Sequence, residues 1–338
     1  MALERLSGLD LLTLGFSPFF QAQVRPEERV ARVAVEHRDR YVLVTEAGAL
    51  EAETEGRFWQ RSKRERQLDK PVVGDFVVFR AEPAPTIVRR LDRRTELLRQ
   101  AAGRRPIPQV VAANADLVLV LTAIGEDLNV RRLERFVGAA RAGRAEALIV
   151  VTKTDLTPDT DAPRRMLAEL DTEILLTSAK SGLGLDELRL RLGHGKTALL
   201  LGSSGVGKST LANRLLSEEL RAIGEVRDKD ERGRHTTTER ALIALPDAEG
   251  RRGGGGLIID SPGVREFLPW AAEAAVKESF HDIEALAEAC RFRDCAHRAE
   301  PGCAVQAAVA SGEVSAARLE SFQKLVSEQK DPGGRRGR

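Results

Sequence analysis

TALLLGSSGVGKST, residues 197–210, combines a continuous apolar strand, a glycine-rich turn and the start of a helix. It matches the pattern G-x-x-x-x-G-K-[ST], in which glycines let the backbone curl so that successive N–H groups face phosphate oxygens. The positive amino end of the following helix, LANRLLSEEL, would add to that field. A glycine-rich turn without a ligand is the alternative interpretation, and the order of strand, turn and helix disfavours it. The stretch therefore predicts a phosphate-binding loop in an α/β domain.

Two side chains of this loop have predicted roles of their own. Lys208 is expected to reach the β and γ phosphates of a nucleotide, and the Ser209 hydroxyl is expected to ligate magnesium. The predicted nucleotide contacts in the loop are Gly202, Ser203, Ser204, Gly205, Val206, Gly207, Lys208, Ser209 and Thr210.

A second magnesium element is predicted in LIIDSPG, residues 257–263. Asp260 ends an apolar strand and would hold the ion through water, while Gly263 would offer its N–H to the γ phosphate. Asp-Ser-Pro-Gly is also an ordinary turn, so this prediction depends on the phosphate loop beside it.

The base of the nucleotide is predicted from VTKTDL, residues 151–156, and TSAKSG, residues 177–182. Asp155 is placed to accept hydrogen bonds from guanine N1–H and N2–H, a donor pair that adenine lacks. The Lys153 stem would cover a face of the base, and a backbone N–H near Ala179 would meet guanine O6. A surface lysine and a capping aspartate are the alternative. The predicted contacts are Thr152, Lys153, Thr154, Asp155, Ser178, Ala179 and Lys180.

One position departs from the usual base-reading motif. Its first residue is ordinarily Asn, and here it is Thr152. A hydroxyl is shorter than an amide and cannot make both of the tethering bonds that an amide makes.

The chain from Asp116 onward has the texture of a parallel sheet. Apolar runs (DLVLVLTA, ALIVVT, EILLTSA, TALLLGSS, LIIDSPG) alternate with the helical patterns VRRLERFVGAARAG and LDELRLRL, which predicts a mostly parallel sheet covered on both faces. The base-reading loop precedes the phosphate loop, the reverse of the usual order. If the original termini lie close together, joining them through residues 181–196 and opening the chain elsewhere leaves the site intact. A circularly permuted P-loop α/β GTPase domain is predicted.

The segment ahead of this domain is predicted to be a small β-barrel. RVARVAV, YVLVTEAG, DFVVFRAE and TIVRRLD carry β-branched and aromatic residues between turn signals, and an OB-like barrel suits their number. LRQAAGRRPIPQVVAANAD, residues 98–116, is interpreted as a linker, and GRRGGGG, residues 250–256, as a flexible turn. The first 28 residues are interpreted as a docking arm, with a short helix ending near Ser17-Pro18.

Composition limits the class of protein. With 338 residues, 42% hydrophobic and 31% charged, the chain fits a folded, soluble, multidomain protein. A net charge of +2 excludes a uniform polyanion binder, but Arg29 to Arg105 holds eighteen Lys/Arg against twelve Asp/Glu. No apolar run is long enough to span a membrane and no export signal is evident, so we expect a cytoplasmic protein and, in solution, a monomer.

The three cysteines cluster near the end of the chain. Cys290, Cys295, His297 and Cys303 have the spacing C-x4-C-x-H-x5-C within a segment of helical pattern. Three thiolates and one imidazole form a closed tetrahedral set, which is typical of structural rather than catalytic zinc. Buried unliganded cysteines or a redox pair are the alternatives. One structural zinc ion is predicted.

In combination these motifs resemble the ribosome small-subunit-dependent GTPase A family. The likeness rests on the permuted order, GRHTTT at 233–238, DSPGVREF at 260–267, the barrel ahead and CRFRDCAHRAEPGCAV behind, and it covers about residues 29–325. The resemblance implies GTP hydrolysis coupled to late maturation of the small ribosomal subunit, with the barrel on ribosomal RNA. The predicted organisation, in which the arm and the tail come from the sequence pattern alone, is an arm (1–28), an OB-like RNA-binding barrel (29–105), a circularly permuted GTPase domain (106–275), a helical zinc-binding domain (276–328) and a disordered tail (329–338).

This sequence lacks the residue that usually orients the attacking water in such a reaction. Ras-like enzymes place a water-orienting Gln directly after the Asp-x-x-Gly element, and here that residue is Val264, which forms no side-chain hydrogen bond. His235 is the nearest candidate, with a solvated loop histidine as the alternative. One of Thr236, Thr237 and Thr238 is expected to complete the magnesium shell. The sequence does not choose among them, and we take Thr237 as the candidate.

Two other functions fit parts of the pattern. A small-molecule P-loop kinase would leave the base-reading pair unexplained. A non-enzymatic RNA-binding module with a regulatory nucleotide site would use the same barrel and zinc cluster. Phosphate release measured with and without small subunits separates the three possibilities.

Overall fold

The computed structural model describes residues 6–37, 40–56, 68–100, 108–125, 127–159, 161–216, 240–247, 249–260, 280–292, 295–298, 300–316, 318–320 and 322–323. The chain divides into two compact units, Met1–Trp270 and Ala271–Arg338. Five sets of predicted residues lie outside the described ranges: His235, the threonines 236–238, Gly263, Val264 and the predicted tail 329–338.

The elements follow the apolar pattern of the sequence. The strands are β1 (Arg29–His37), β2 (Arg40–Thr45), β3 (Gly48–Thr54), β4 (Phe76–Arg80), β5 (Thr86–Arg90), β6 (Glu96–Gln100), β7 (Pro108–Ala113), β8 (Leu117–Ala123), β9 (Glu146–Thr152), β10 (Glu173–Leu176), β11 (Thr197–Gly202), β12 (Ala241–Pro246) and β13 (Arg252–Asp260). The helices are α1 (Pro18–Gln21), α2 (Val130–Ala142), α3 (Ala162–Met166), α4 (Leu185–Leu192), α5 (Lys208–Leu216), α6 (His281–Ala287) and α7 (Ala304–Ser311).

The first five strands close into the predicted OB-like barrel. Their order is β1-β2-β3-β5-β4, and β4 pairs back onto β1. All neighbours are antiparallel except β3 and β5, which pair in parallel. Alternation along each strand sends one set of side chains inward. The barrel interior is filled by Ala31, Val33, Tyr41, Leu43, Ala52, Val77, Phe79 and Ile87.

The nucleotide domain contains the predicted, mostly parallel sheet. Its order is β10-β9-β8-β11-β13-β12; only β12 runs antiparallel to its neighbour β13. Separate apolar clusters cover its two faces. After β8, strands β9 and β10 are added in turn on one side of β8, and β11 then pairs with its other side. Such a switch point is where ligands bind in open α/β sheets, outside the carboxyl ends of the strands.

The barrel and the nucleotide domain share one continuous sheet of eleven strands. The junction is an antiparallel pairing between β1 and β12, in which Val35 lies opposite Ala241. The first compact unit therefore joins the barrel to the nucleotide sheet through backbone hydrogen bonds as well as through side chains.

The prediction that residues 98–116 form a linker is wrong, because part of this segment is β-strand. Residues 98–100, the end of β6, pair antiparallel with β7, and the backbone N–H of Glu96 at the start of β6 donates to the carbonyl of Gly143 at the end of α2. Val110 and Val111 are buried. Pro108 is tolerated because it is the first residue of its strand, a position that proline commonly occupies.

The predicted flexible turn at residues 250–256 is also wrong, because four glycines belong to β13. A Cβ atom on Gly255 would lie 2.1 Å from the carbonyl oxygen of Pro246, and one on Gly256 would lie 2.5 Å from that of Gly193. Glycine is required here by close approach of neighbouring backbone rather than by mobility.

The N-terminal arm packs on the protein itself. Helix α1 begins at Pro18, where the sequence analysis expected a helix to end; proline suits the first turn because its missing N–H is not needed there. Leu9 and Leu14 are buried in a cluster with the nucleotide sheet, and Phe20 packs with Phe76 of the barrel. The arm therefore contacts both parts of the first unit.

A fully buried arginine on β1 joins these parts. The Arg32 guanidinium donates hydrogen bonds to the carbonyls of Leu14, Gly74 and Asn114 and to the hydroxyl of Thr197, the first residue of β11. Burial lowers the pKa of Arg32 to about 10, so the group stays protonated at neutral pH. Its four acceptors come from the arm, the barrel, the end of β7 and the nucleotide sheet.

The second unit has its own small core, which the described residues form around helices α6 and α7. Its buried apolar residues are Phe280, Ile283, Cys303, Val305, Ala308, Val314 and Leu319. No described helix of either unit is long and apolar enough to cross a membrane.

Candidate functional site

The predicted phosphate loop has the geometry that its glycines require. Strand β11 ends at Gly202, where an added Cβ would lie 2.5 Å from the carbonyl oxygen of Leu121 on β8. Gly205 and Gly207 have φ angles of 81° and 97°, in the left-handed region that favours glycine. Helix α5 begins directly after the loop, at Lys208. Strand, loop and helix succeed one another as the sequence predicts.

Lys208 lies across the mouth of this loop. Its ammonium group donates to the carbonyls of Gly202 at 2.7 Å and of Ser203 at 2.6 Å. Burial lowers the pKa of Lys208, and the nearby carboxylates of Asp260 and Asp127 oppose that shift. The Ser203 hydroxyl is buried and finds no hydrogen-bond partner among the described residues. A buried donor of this kind suits an anionic ligand in the loop.

The base-reading loop is fastened to the phosphate loop by two hydrogen bonds. The Thr152 hydroxyl donates to the Val206 carbonyl at 2.6 Å, and the Lys153 ammonium donates to the Gly205 carbonyl at 2.9 Å. Thr152 ends β9, and Lys153 has a φ of 59°, an uncommon value for a residue other than glycine. The hydroxyl therefore reaches the phosphate loop. Because it has one hydrogen, its 3.3 Å approach to the Thr122 carbonyl is the weaker contact.

The two predicted base-reading segments meet at Asp155 and Ser178. The buried Ser178 hydroxyl donates to the Asp155 carboxylate at 2.6 Å, and this bond lowers the pKa of Asp155. Beside it, the Thr154 hydroxyl donates to the Thr177 carbonyl at 3.0 Å. Asp155 itself is exposed, so its carboxylate is ionised at neutral pH and accessible to a ligand.

An open cleft of about 290 Å³ lies between these loops. Its volume is close to the lower end of the range of small-molecule sites, which is on the order of 300–1,000 Å³. The lining combines both base-reading segments with the phosphate loop and the first turns of α5: Thr152, Lys153, Asp155, Leu156, Thr177, Ala179, Lys180, Gly207, Thr210 and Leu211.

The predicted magnesium residues lie at the adjoining end of the sheet. Asp260 ends β13, the parallel neighbour of β11, and Ser209 is exposed in the first turn of α5. One carboxylate and one hydroxyl are oxygen donors of the kind that magnesium takes beside substrate phosphates. The further predicted groups, from His235, Thr237 and Gly263, lie outside the described residues.

Asp127 is a charged residue of this region that the sequence analysis missed. It follows β8, and its carboxylate accepts hydrogen bonds from the Ala123 N–H at 3.0 Å and from the Arg132 guanidinium at 2.8 Å. Its charge acts on Lys208. The only sequence signal was an acidic residue after an apolar run, which is also common in ordinary turns.

In the second unit, the structure brings the four predicted zinc ligands together. Their ligand atoms all lie within 4.8 Å of one another. The Sγ atoms of Cys290 and Cys303 are 3.8 Å apart, and these two sulfurs lie 3.6 Å and 3.5 Å from His297 Nδ1. Zinc bonded tetrahedrally at 2.3 Å to sulfur and 2.0–2.1 Å to nitrogen requires edges of about 3.8 Å and about 3.6 Å. The ligand atoms of Cys290, His297 and Cys303 therefore have the spacings of a zinc site, and the Cys295 sulfur lies within 4.8 Å of each of them.

The backbone around these ligands holds them in place. Cys303 caps α7, its sulfur accepting from the Gln306 N–H, and the Gln306 side chain donates to the His297 carbonyl at 2.8 Å. His297 has a φ of 55° and is buried. Burial lowers the pKa of His297, which favours the neutral imidazole that a metal requires.

The permuted strand order, the phosphate loop and the base-reading segments around one cleft define a circularly permuted P-loop GTPase. The sequence model of the RsgA GTPase family matches residues 90–270, and the chain belongs to this family. The resemblance found in the sequence is thereby confirmed.

Curated relatives match over nearly the whole chain. The small ribosomal subunit biogenesis GTPase RsgA 2 of Vibrio parahaemolyticus is 38% identical over 326 residues, covering 94% of this chain and 86% of the relative. The small ribosomal subunit biogenesis GTPase RsgA of Opitutus terrae is 39% identical over 344 residues, covering 97% and 90%.

Solved structures show the same fold. YjeQ from Thermotoga maritima matches with a TM-score of 0.60 at 26% identity, over 91% of this chain and 100% of that chain. YloQ, described as a circularly permuted GTPase, matches with a TM-score of 0.59 at 26% identity, over 92% and 98%.

Proposed function

We propose that this GTPase binds the small ribosomal subunit and couples GTP hydrolysis to late maturation of that subunit. The observation that carries the proposal is the cleft that joins a base-reading carboxylate, Asp155, to the phosphate loop. The relatives named for small ribosomal subunit biogenesis support the choice of partner.

Within the cleft each residue has a proposed task. Asp155 accepts the two guanine donors, which selects GTP and GDP over ATP because adenine offers no such pair of donors. Lys208 exchanges its carbonyl partners in the loop for the β and γ phosphates. Ser209 and Asp260 would hold magnesium, which when bound neutralises phosphate charge and orients the γ phosphate. Thr237 and Gly263 are proposed to complete the same end of the site.

Slow turnover of the free protein is part of the proposal. Val264 offers no hydrogen bond to an attacking water, so the water must be oriented by another group. We propose His235 for this role, in the complex with the small subunit. Activity should therefore rise when the subunit binds.

The barrel and the C-terminal zinc-binding segment are proposed to bind the small ribosomal subunit. The basic excess between Arg29 and Arg105 would contact ribosomal RNA phosphates, an interaction that weakens steeply with salt as counterions are released. Cys290, Cys295, His297 and Cys303 would hold one structural zinc ion, since their spacing and distances fit it. A cytoplasmic monomer is the proposed working form.

Co-sedimentation tests the choice of partner. Purified small subunits should carry the protein through a sucrose cushion in the presence of a non-hydrolysable GTP analogue, and less of it with GDP. Purified large subunits are the matched control and should carry little. Equal sedimentation with both subunits, or with neither, would contradict the proposal.

A further inference from the structure

Ala241 is the point at which the barrel meets the nucleotide sheet. On one side it pairs with Val35 of barrel strand β1, and on the other with Asp260 at the end of β13. A single strand, β12, therefore separates the barrel from the carboxylate proposed to hold magnesium. The three residues lie in one row of paired backbone, so the end of β13 and strand β1 share β12 as their common neighbour.

Two charged residues adjoin this paired row in the sequence: Glu36 follows Val35, and Arg240 precedes Ala241. Glu36 of β1 has one carboxylate oxygen 3.2 Å from the Lys70 ammonium and the other 3.9 Å from Nη1 of Arg240, the residue before β12. The exposed fractions of the Glu36 and Arg240 side chains are 16% and 18%. Such partly buried charges are screened far less by salt than exposed ones.

Glu36 is the carboxylate that lies near both Lys70 and Arg240. Burial lowers the pKa of Arg240, the Glu36 charge opposes that shift and Arg99 adds to it. Lys70 is also a cation. Without Glu36, the Arg240 guanidinium would keep the repulsion of Arg99 and lose the carboxylate that opposes it. The carboxylate therefore attracts the residue that precedes β12 toward barrel strand β1, across 3.9 Å and without a hydrogen bond between them.

We propose that the Glu36–Arg240 pair couples the barrel to the nucleotide state of the GTPase site. A rearrangement at Asp260 reaches β1 through β12, and the ion pair keeps β12 and β1 moving together. Because coupling between two binding sites is reciprocal, occupancy of the barrel surface would act back on the nucleotide site. This inference rests on the proposed function in one respect, that GTP and GDP bind at the described cleft.

Hydrogen exchange of the full-length protein tests the coupling directly. Backbone amides of residues 29–37 are compared in the GDP state and in the state with a non-hydrolysable GTP analogue. In the wild type their exchange rates should differ by about fivefold or more, the lower end of typical couplings between sites. Glu36→Gln and Arg240→Gln should each abolish the difference, whereas Arg240→Lys, which keeps the charge, should retain it.

A matched control is available on the same barrel. Glu53 pairs with Arg40 at 3.6 Å, but both side chains are 68% exposed, so Glu53→Gln removes a carboxylate from β3, which β1 and β2 separate from β12. This variant should behave as the wild type. The double variant Glu36→Gln/Arg240→Gln should show no larger defect than either single variant, because both remove the same interaction.

Several outcomes would overturn the coupling: identical exchange of residues 29–37 in the two nucleotide states of the wild type, an unchanged difference in Glu36→Gln, or additive defects in the double variant. Stimulation of GTP hydrolysis by small subunits is measured separately on the same proteins. A wild type that small subunits do not stimulate would refute the proposed function and leave the exchange result to decide the coupling.

Discussion

Thr152→Val removes the hydroxyl that ties the base-reading loop to the phosphate loop while keeping the shape of the side chain. The bond from Thr152 to the Val206 carbonyl is 2.6 Å long, and both residues are buried, with exposed fractions of 6% and 1%. Water therefore has little access to the carbonyl that loses its donor. Valine also matches the β-branched backbone preference of threonine.

The magnitude follows from the burial of that carbonyl. A neutral hydrogen bond contributes about 1 kcal/mol net, and a buried acceptor left without a donor costs about 1–3 kcal/mol. If the loosened loop must be reordered when nucleotide binds, about 1–2 kcal/mol of this appears as weaker binding. GDP affinity should therefore fall about fivefold to thirtyfold.

The assay is the dissociation constant for fluorescent GDP in magnesium, read beside thermal unfolding. Thr95→Val is the matched control, because the Thr95 hydroxyl donates to the Ala115 carbonyl over the same 2.6 Å and its residue is 5% exposed. That variant should lose stability but keep GDP affinity. Equal GDP affinities for Thr152→Val and the wild type would refute the inference that this tether shapes the site, as would an equal loss in Thr95→Val.

Three further variants address the base and the metal. Asp155→Asn should weaken GDP binding and improve xanthosine diphosphate binding, because the new amide donates where the carboxylate accepted; a retained preference for GDP would contradict the assignment. Ser178→Ala should raise the pKa of Asp155 toward its usual range. Since the depressed pKa keeps the carboxylate ionised as pH falls, GDP affinity measured between about pH 3 and pH 6 should then be lost at a higher pH than in the wild type. Cys295→Ser should lower the zinc content found by elemental analysis and weaken subunit binding while leaving GDP affinity nearly unchanged; undiminished zinc would contradict the cluster.

Local pattern predicted the parts of this molecule in which one segment determines its own structure. LDELRLRL matches helix α4, Leu185–Leu192, residue for residue, and the apolar runs after Asp116 match β8, β9, β10 and β11. The phosphate loop was predictable because its glycines answer a local need for left-handed backbone. The four zinc ligands were predictable for the same reason, since they all lie within one short segment.

The misses share a different cause, which is backbone pairing or close approach that the local pattern does not reveal. Pro106 and Pro108 made residues 98–116 look like a linker, but residues 98–100 pair antiparallel with residues 108–110 inside the same segment. The glycines of β13 looked mobile, whereas Gly255 and Gly256 are there because backbone from elsewhere lies within reach of a Cβ. Such neighbours are set by the tertiary fold.

The residues of the cleft show both what the sequence predicts and what it leaves undetermined. Asp155 was assigned from its motif, but its bond to Ser178 depends on how closely β9 and β10 are paired. Thr152 was expected to be too short for the full set of tethers, and its reach to Val206 depends on where the phosphate loop lies relative to β9. Asp127 carried only the weak signal of an acidic residue after an apolar run, and its effect on Lys208 became visible in the structure.

Steady-state phosphate release from GTP, titrated with purified small ribosomal subunits, tests the central claim most directly. The free protein should turn over slowly, the rate should rise and saturate as subunits are added, and Lys208→Ala should be inactive throughout because it lacks the cation that meets the phosphates. Large subunits at the same concentrations should have little effect. A fast rate in the free protein that small subunits leave unchanged would contradict the account.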